Sequence, residues 1–289
     1  MLQLFTDTDT DITPEVAREY GYKLISMPYS VDGKTVYPYE DFDVFDSKAF
    51  YDMLRAGTIP TTSAVSEERY AAYFEPVFAN GDDILYVHFS AAMTMTFDNM
   101  KKAVDGLLAK YPGRRFYTID TKGITIESLA IVLEVGDLYK AGKTAEEILE
   151  WADTEVDRFA IYFFADDLKF FHHSGRVSGL AATFGTLMGV RPIIYMNEEG
   201  KMVSVGKERG RTKALERLCA YVDELGDDIT SHRVLIGNTD ALDIAEELGA
   251  MLKEKYGEKL NIQYVTVNPT AGSHCGPNGV GVCFHAIHR

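Results

Sequence analysis

Cysteine is scarce in this chain of 289 residues, which contains only Cys219, Cys275 and Cys283. An odd and sparse set of cysteines does not suit a disulfide framework, so we expect a reducing compartment. The first residues lack the basic and apolar regions of a signal peptide, and no apolar run approaches the roughly 20 residues of a membrane span. These absences predict a cytoplasmic protein without stable insertion into a membrane.

Basic residues are also in the minority, with 29 Lys and Arg against 44 Asp and Glu and a net charge of −15. A nucleic-acid-binding protein would show a basic surface, and an anionic membrane would repel this one. We therefore expect no nucleic acid among the partners, but a small ligand or another protein. Acidity also serves solubility alone. Apolar residues make up 46% of the chain, enough for a sizeable core and against disorder.

The common cofactor signatures are missing as well. No stretch fits the glycine-rich phosphate loop or the dinucleotide fingerprint. His172-His173 and Cys283-x-His285 lack the paired spacings of structural zinc sites. We expect neither a metal ion nor a cofactor.

The sequence does contain an alternation of strand and helix patterns. Apolar runs at Ile84–Phe89 and Phe116–Ile119 are each followed by a polar turn and a helical pattern, which indicates parallel βαβ units. Later in the chain, Pro192–Met196 and Lys201–Val205 flank the turn Asn197–Gly200, which is an antiparallel pattern. We predict an α/β fold of two α/β domains: a Rossmann-like parallel-sheet domain (residues 1–155) and a mixed-sheet domain (residues 156–289).

Polar turns are expected near the carboxyl ends of the strands, where an open parallel sheet binds its ligands. These turns are Thr6–Asp11, Thr61–Ser66, Ser90–Thr96 and Asp120–Lys122. Hydroxyl groups, together with free amides at a helix start, suit an anion such as a carboxylate. Each turn taken singly has a simpler interpretation, in which its hydroxyl only caps a helix.

Two further kinds of segment are unusual. Gly272–Gly281 has four glycines and a proline around His274, which predicts a tight loop that approaches another group closely. The histidine would donate to an anion, or it is incidental to a structural turn. Basic residues occur in Lys169–Ser178 and cluster at Lys207, Arg209, Arg211 and Lys213. They would bind a phosphate or dock an acidic partner, or they only form the solvated start of a helix.

One alternative is an enzyme. Asp9-Thr10-Asp11-Ile12-Thr13 fits the Asp-x-Asp-x-Thr pattern of haloacid-dehalogenase-like phosphatases. That likeness implies a magnesium-dependent aspartyl-phosphate mechanism, with Asp9 as nucleophile and Asp11 as general acid. The remaining parts of such a site would come from Ser90, Lys122, Asp166 and Asp167. The register counts against this alternative, because the nucleophile belongs at a strand tip and the apolar run ends at Phe5.

Several motifs resemble those of the DegV family of bacterial fatty-acid-binding proteins, which includes the carrier subunits of fatty acid kinase. The similar segments are Asp7-Thr8-x-x-Asp11, Pro60–Ser66, Asp120-Thr121-Lys122, Asp167–Ser178, Arg191–Ile194, Lys207-x-Arg209-Gly210 and His274-x-Gly276-Pro277-x-Gly279. No single motif is specific, but six or more in this order, over essentially the whole chain, are.

The resemblance implies two α/β domains with one long-chain fatty acid in a tunnel between them. It places the carboxylate of that fatty acid against Thr62, Ser63, Ser90 and His274. In the kinase-associated members, a separate ATP-using subunit phosphorylates the carboxylate, and Arg176 and Arg209 are the candidates for contacting that subunit or the phosphate. The chain would then be a lipid-binding carrier and not an enzyme in its own right.

The chain departs from the family pattern at two positions. The family has a Ser-Ser pair that helps to hold the carboxylate, and this chain has Ser90-Ala91. The family's Gly-Gly-Arg is here Ser174-Gly175-Arg176. Three hypotheses follow: a fatty-acid carrier, a magnesium-dependent phosphatase, and a regulatory binding module without lipid.

Overall fold

The computed structural model of the chain describes residues 1–178 and 189–289. The strands in these ranges are β1 (Leu2–Asp7), β2 (Tyr22–Ile25), β3 (Tyr29–Val31), β4 (Lys34–Val36), β5 (Thr61–Thr62), β6 (Asp83–His88), β7 (Phe116–Asp120), β8 (Phe159–Phe164), β9 (Val177–Ser178), β10 (Val190–Met196), β11 (Met202–Arg209), β12 (Val234–Asn238), β13 (Ile262–Thr266) and β14 (Val280–His285). The helices are α1 (Pro14–Tyr20), α2 (Ser47–Arg55), α3 (Glu67–Ala79), α4 (Thr96–Lys110), α5 (Thr125–Lys140), α6 (Ala145–Glu155), α7 (Lys169–Ser174), α8 (Arg211–Leu225), α9 (Leu242–Tyr256) and α10 (Pro269–Cys275). None of the helices within the described ranges combines the length and the apolar character needed to cross a membrane.

The first sheet has four parallel strands in the order β2-β1-β6-β7. Successive residues of a strand face opposite sides of the sheet. Phe5 and Tyr86 accordingly pack in the core formed with α3 and α4, whereas Leu4 and Leu85 pack in the core formed with α5. The predicted parallel βαβ arrangement is confirmed.

The second sheet has seven strands in the order β13-β12-β14-β8-β10-β11-β9. Two of its pairs, β12 with β13 and β9 with β11, are parallel, and the others are antiparallel. Strands β10 and β11 flank the turn Asn197–Gly200 as predicted. The α/β fold with one parallel and one mixed sheet is therefore confirmed. The first sheet ends before residue 155 and the second begins after it; the division into domains at that residue stays a prediction.

A small antiparallel sheet, with the strand order β4-β3-β5, is formed by residues of the first half of the chain. Asp32 and Gly33 connect β3 to β4, both with positive φ (50° and 76°), as a two-residue hairpin turn requires. Tyr29 of β3 pairs with Thr62 of β5. This pairing positions Thr62 for the site described below.

Helix α5 lies between the two large sheets. Most of its residues are buried on every side, from Thr125 to Gly136. It packs against β8, β12 and β14 of the second sheet, and its apolar residues share one core with Leu4 and Val87 of the first. A helix that is buried on every side has no face for solvent, so α5 joins the two sheets into one core.

The glycine-rich segment differs from its prediction. We expected a tight loop over Gly272–Gly281, but α10 occupies the first part of this range. Asn268 caps the helix, since its side chain accepts a hydrogen bond from the Ala271 amide at 2.9 Å. Gly272 serves packing rather than a turn, because a Cβ at this position would lie 2.6 Å from the Tyr51 hydroxyl oxygen.

Candidate functional site

The carboxyl ends of β1, β6 and β7 lie side by side, and carboxylates hold the turns that follow them. Asp7 Oδ2 accepts hydrogen bonds from the Tyr86 hydroxyl at 3.0 Å and from the Phe89 amide at 3.2 Å. Burial raises the pKa of Asp7 to about 7, although these hydrogen bonds oppose the shift. Asp120 Oδ1 accepts from the Lys122 amide at 2.8 Å. These contacts shape the edge at which a parallel sheet binds ligands.

A cavity of about 500 Å³ opens at this edge. Its volume lies in the range of pockets that take small organic ligands. Polar side chains in its wall include Asp9, Thr62, Ser63, Thr94, Arg176 and His274. Apolar side chains include Met27, Phe89, Ala91, Met93, Ile124 and Met202. Both halves of the chain therefore contribute to one site.

Three of the four residues expected to hold a carboxylate line this cavity: Thr62, Ser63 and His274. Thr62 Oγ1 lies 3.0 Å from His274 Nε2. Burial, with smaller contributions from Arg176 and His173, lowers the pKa of His274 to about 4. The imidazole is therefore neutral near pH 7, and it contributes one N–H donor and one acceptor rather than a positive charge.

The fourth expected residue, Ser90, lies beside the cavity and not among the described residues that line it. Its buried hydroxyl donates to the Gly200 carbonyl oxygen at 2.7 Å. Gly200 has φ +73°, and any Cβ there would collide with Ser90 Oγ. Ser90 thus joins the end of β6 to the β10–β11 turn of the second sheet. Ala91, where the family pattern has the second serine, is the residue that faces the cavity.

Arg176 and Arg209, the candidates for kinase or phosphate contact, lie apart. Arg176 is exposed and lines both the main cavity and an adjoining one of about 360 Å³. It follows α7 and precedes β9, which pairs with β11 at Met202. Arg209 is exposed at the far end of β11, seven residues beyond Met202 and hence roughly 20 Å along the strand. One phosphate cannot contact both side chains.

The glycine departure has a simple local explanation. Ser174 is the last residue of α7, and its hydroxyl donates to the Phe171 carbonyl oxygen at 3.1 Å. Gly175 then adopts the left-handed conformation, with φ 64°, that ends the helix. Since the left-handed residue is Gly175, position 174 accepts a serine without strain.

The two carboxyls of the phosphatase hypothesis face different surroundings. Asp9 lines the main cavity, whereas Asp11 lines a separate cavity of about 410 Å³ beside α1 and β13. Asp11 Oδ1 accepts hydrogen bonds from the backbone and side-chain nitrogens of Asn268, at 2.8 and 2.7 Å. Burial raises the pKa of Asp11 to about 7. A nucleophile and a general acid must reach the same substrate, so this geometry does not favour the phosphatase.

The remaining parts of that hypothetical site do not converge either. Lys122 Nζ pairs with Asp157 at 2.8 Å, Asp166 with Arg191 at 2.5 Å and Asp167 with Lys169 at 2.9 Å. Each of these side chains takes part in its own local ion pair. Among residues 1–178 and 189–289, the structure shows no group of three or more His, Cys, Asp or Glu arranged to hold a metal ion.

A small apolar cavity of about 40 Å³, called the apolar channel below, adjoins the main cavity, with which it shares Ile124 and Cys275. It runs between α5 and the second sheet. Gly237 and Gly281, which pair across β12 and β14, form part of its wall. A Cβ at Gly237 would lie 2.9 Å from Ile126 Cγ2, and one at Gly281 would lie 2.6 Å from Phe163 Cβ. Because neither glycine has a side chain, a space remains between α5 and the second sheet.

The sequence does not single out which apolar residues line the cavity, nor that Asp9 lies among them. Met27, Ile124 and Met202 line the cavity, but apolar residues at these spacings fill ordinary cores equally well. The sequence suggests only one role for Asp9, that of nucleophile in the phosphatase alternative. The sequence feature that points to the cavity is its position in the polar turn after β1, one of the turns expected at the ligand-binding edge of the sheet.

Comparisons with known proteins agree on one family. The model of the DegV family, a family described as uncharacterised proteins, matches residues 1–286. A DegV domain-containing protein of Clostridium perfringens is 30% identical over 286 residues, which cover 97% of this chain and 96% of the relative. Another, from Streptococcus pyogenes, is 26% identical over 279 residues and covers 96% of each chain.

Solved structures share the whole fold. A fatty acid binding DegV family protein of Streptococcus agalactiae has a TM-score of 0.84 at 24% identity, with 99% of each chain covered. DegV of Bacillus subtilis, a fatty acid binding protein, has a TM-score of 0.83 at 22% identity, again with 99% of each chain covered. A DegV lipid binding protein of Thermotoga maritima has a TM-score of 0.83 at 21% identity and covers 100% of this chain.

Proposed function

The chain belongs to the DegV family, and we propose that it is a carrier that binds one long-chain fatty acid and holds its carboxylate for a separate kinase subunit. The observation that carries the proposal is the form of the cavity. Neutral donors, Thr62 and His274, lie in its wall together with the cationic Arg176, and the apolar channel adjoins it at Ile124. A ligand with one anionic end and a long apolar tail matches both parts.

The tail supplies most of the affinity in this proposal. A palmitate-sized tail has about fourteen methylenes, and burying each contributes about 0.8 kcal/mol, or on the order of 11 kcal/mol in all. Ordering the chain and restricting its translation costs several kcal/mol. A net binding free energy near −8 kcal/mol corresponds to a dissociation constant of about 1 μM.

The channel must widen for such a tail to enter. Its volume of about 40 Å³ is close to that of one water molecule in the liquid, about 30 Å³. The shared residues Ile124 and Cys275 are the side chains that would move aside. Flexible methionines such as Met93 and Met202 in the adjoining wall suit tails of different shape.

The head group would meet donors and one positive charge. Because Thr62 Oγ1 and His274 Nε2 are hydrogen-bonded to each other, one of their two protons lies in that bond, and the other proton, together with that of the Ser63 hydroxyl, can be donated to carboxylate oxygens. Arg176 supplies the charge that offsets the carboxylate, and it also lines the adjoining cavity. A carboxylate bound there would lie next to the side from which a partner subunit could bring the γ-phosphate of ATP.

The kinase partner is proposed from the resemblance to the kinase-associated members of the family, in which a separate ATP-using subunit phosphorylates the carboxylate. In that reaction a carboxylate oxygen bonds to the γ-phosphorus while its bond to the β–γ bridging oxygen breaks, giving acyl phosphate and ADP. Arg209, about 20 Å along β11, would contact the partner surface rather than the phosphate.

The first test is native mass spectrometry of the freshly purified protein, followed by solvent extraction and lipid identification. We expect one fatty acid per chain, whose mass names the preferred tail. A protein that is bare and also fails to take up added palmitate would overturn the carrier proposal. Adding the ATP-using catalytic subunit of a fatty acid kinase, with ATP, to the loaded protein would test the presentation step separately.

A further inference from the structure

Asp9 places a second carboxyl group in the cavity that is proposed to receive a carboxylate. Its side chain lines the cavity with Thr62, Ala91, Arg176 and His274. Its backbone N–H donates to Asp7 Oδ1 at 3.0 Å, which fixes the position of the residue. Asp9 Oδ1 is shielded from solvent and has no hydrogen-bond partner among the described residues. Burial without a hydrogen-bond partner disfavours the charged form of a carboxyl, so Asp9, which is partly exposed where it lines the cavity, is suited to hold a proton there.

The groups around Asp9 carry too little positive charge to stabilise two ionised carboxylates. The charged and titratable groups near it are Asp7 and Asp11 on its own segment, Tyr70 of α3, Arg176 before β9, and His274 and Cys275 of α10. Burial raises the pKa of Cys275 to about 12, so its thiol is neutral, as is the His274 imidazole. Arg176 is then the positive side chain in the described wall of the cavity. It offsets one negative charge, and an ionised Asp9 beside an ionised ligand would leave a second uncompensated.

Two like charges that share a buried site hold one proton between them. Burial, and then the charges of Asp7 and Asp11, already keep the pKa of Asp9 well above its usual range in the free protein. A ligand carboxylate adjacent to Asp9 would raise that pKa further.

We propose that Asp9 and the carboxylate of the bound fatty acid share one proton, so that the cavity takes up a proton together with its ligand. The proposal rests on the fatty-acid function and names the residue that couples it to pH. Protonated Asp9 then acts as a donor to the ligand, in place of the hydroxyl that the family pattern has at position 91.

The pH dependence has a definite sign. Asp9 is ionised in the free protein above its free pKa and protonated in the complex below the higher pKa that the ligand induces. Between these two values each binding event takes up one proton, and the dissociation constant rises by up to about tenfold per unit of pH. A fatty alcohol of the same length can donate its hydroxyl proton to ionised Asp9, so its affinity does not fall in this way.

Isothermal titration calorimetry with palmitate tests the proposal. Titrations at several values between about pH 6.5 and about pH 9, in buffers of different ionisation enthalpy, give both affinity and proton uptake. The variants are Asp9→Asn and, as a matched control, Asp105→Asn on the exposed face of α4. Hexadecanol is the neutral-headed probe.

We expect the wild type and Asp105→Asn to take up close to one proton per palmitate, and Asp9→Asn to take up almost none. Asp9→Asn should also bind palmitate more tightly than the wild type at the alkaline end, by about tenfold or more. Asp7 and Asp11 remain in both variants, so proton uptake by either would persist in Asp9→Asn.

Three outcomes would overturn the proposal. Palmitate binding by the wild type without proton uptake would show that Asp9 stays ionised, is already protonated before palmitate binds, or lies away from the head group. Unchanged uptake in Asp9→Asn would assign the proton to another residue. If none of the three proteins binds palmitate, the fatty-acid function itself fails and this inference with it; the first two outcomes leave that function intact.

Discussion

Ser90 and Ala91 are neighbours in the chain, yet their side chains have different surroundings. The Ser90 hydroxyl donates to the Gly200 carbonyl oxygen, whereas Ala91 lines the cavity. The departure from the family's Ser-Ser pair therefore removes a hydroxyl at a position that lines the cavity and keeps the one that joins the two sheets.

We predict that Ala91→Ser tightens palmitate binding by about 3- to 10-fold. The new hydroxyl would donate to the carboxylate, and a hydrogen bond to a charged group contributes about 1.5 kcal/mol or more, less the cost of ordering it. Fluorescence or calorimetric titration at pH 7 measures the change. Ala91→Val, which adds volume without a donor, should not tighten binding; equal gains in both variants would contradict the prediction.

The double substitution Ser63→Ala with His274→Ala should weaken palmitate binding by about 10- to 100-fold, because two donors to the carboxylate are lost. Thermal unfolding should show that the fold is retained. Thr154→Ala, an exposed position on α6, is the control and should bind normally. An unchanged affinity in the double variant would remove Ser63 and His274 from the head-group site.

Helix α10, near the end of the sequence, places His274 in the cavity beside residues from the first half of the chain. It packs against α2, β3 and β5, all from the first half, and the close contact of Gly272 with Tyr51 allows this approach. The pairing of β5 with β3 brings Thr62 to the same place. The Thr62–His274 contact therefore depends on two small elements and not on either large sheet alone.

The channel between α5 and the second sheet should determine how long a fatty-acid tail the protein accepts. Ile124 lines both the cavity and the channel, so Ile124→Trp should block the passage between them. We expect affinity for palmitate to fall by about 10-fold or more, since several methylenes at about 0.8 kcal/mol each would stay outside. Affinity for octanoate should change little.

Ile124→Leu, which conserves volume, is the matched control and should bind palmitate as the wild type does. Titration of both variants with fatty acids of increasing length measures the cut-off. If Ile124→Trp still prefers long tails, the tail does not pass Ile124.

Buried carboxyls affect the stability of the whole molecule. Burial raises the pKa of Asp7 and of Asp11 to about 7, and that of Glu127 in α5 to about 8, where burial outweighs the attraction of Arg289 3.3 Å away. Each group binds its proton more tightly in the folded than in the unfolded protein. The stabilisation is complete below the unfolded pKa values, near 4, and is lost as pH rises through about 7 to 8.

We therefore predict that the free energy of unfolding falls as pH rises from about 5 to about 8.5. Urea unfolding at intervals across this range measures it. Glu127→Gln should flatten the alkaline part of the curve, because glutamine does not titrate. Stability that rises with pH over the same range would show that these carboxyls are ionised and well paired in the folded protein.

Much of the architecture follows from the sequence alone. The runs at Ile84–Phe89 and Phe116–Ile119 alternate with helical patterns, and the Asn197–Gly200 turn separates two apolar strands, so local periodicity determines both a parallel and an antiparallel unit. The ordered motifs likewise indicated the family. Periodicity and short motifs depend on neighbours in the chain, which the sequence lists directly.

Only the tertiary structure determines which residues form the site. Only packing reveals that Ser90 binds Gly200 while Ala91 faces the cavity, that Asp9 and Asp11 face different cavities, and that Gly272 belongs to a helix. These outcomes depend on contacts between residues more than a hundred positions apart, and such contacts are set by how α5 and the two sheets fill one core. Neighbouring residues point in different directions, so one can line the cavity while the next packs against the scaffold. No local sequence pattern records which residue does which.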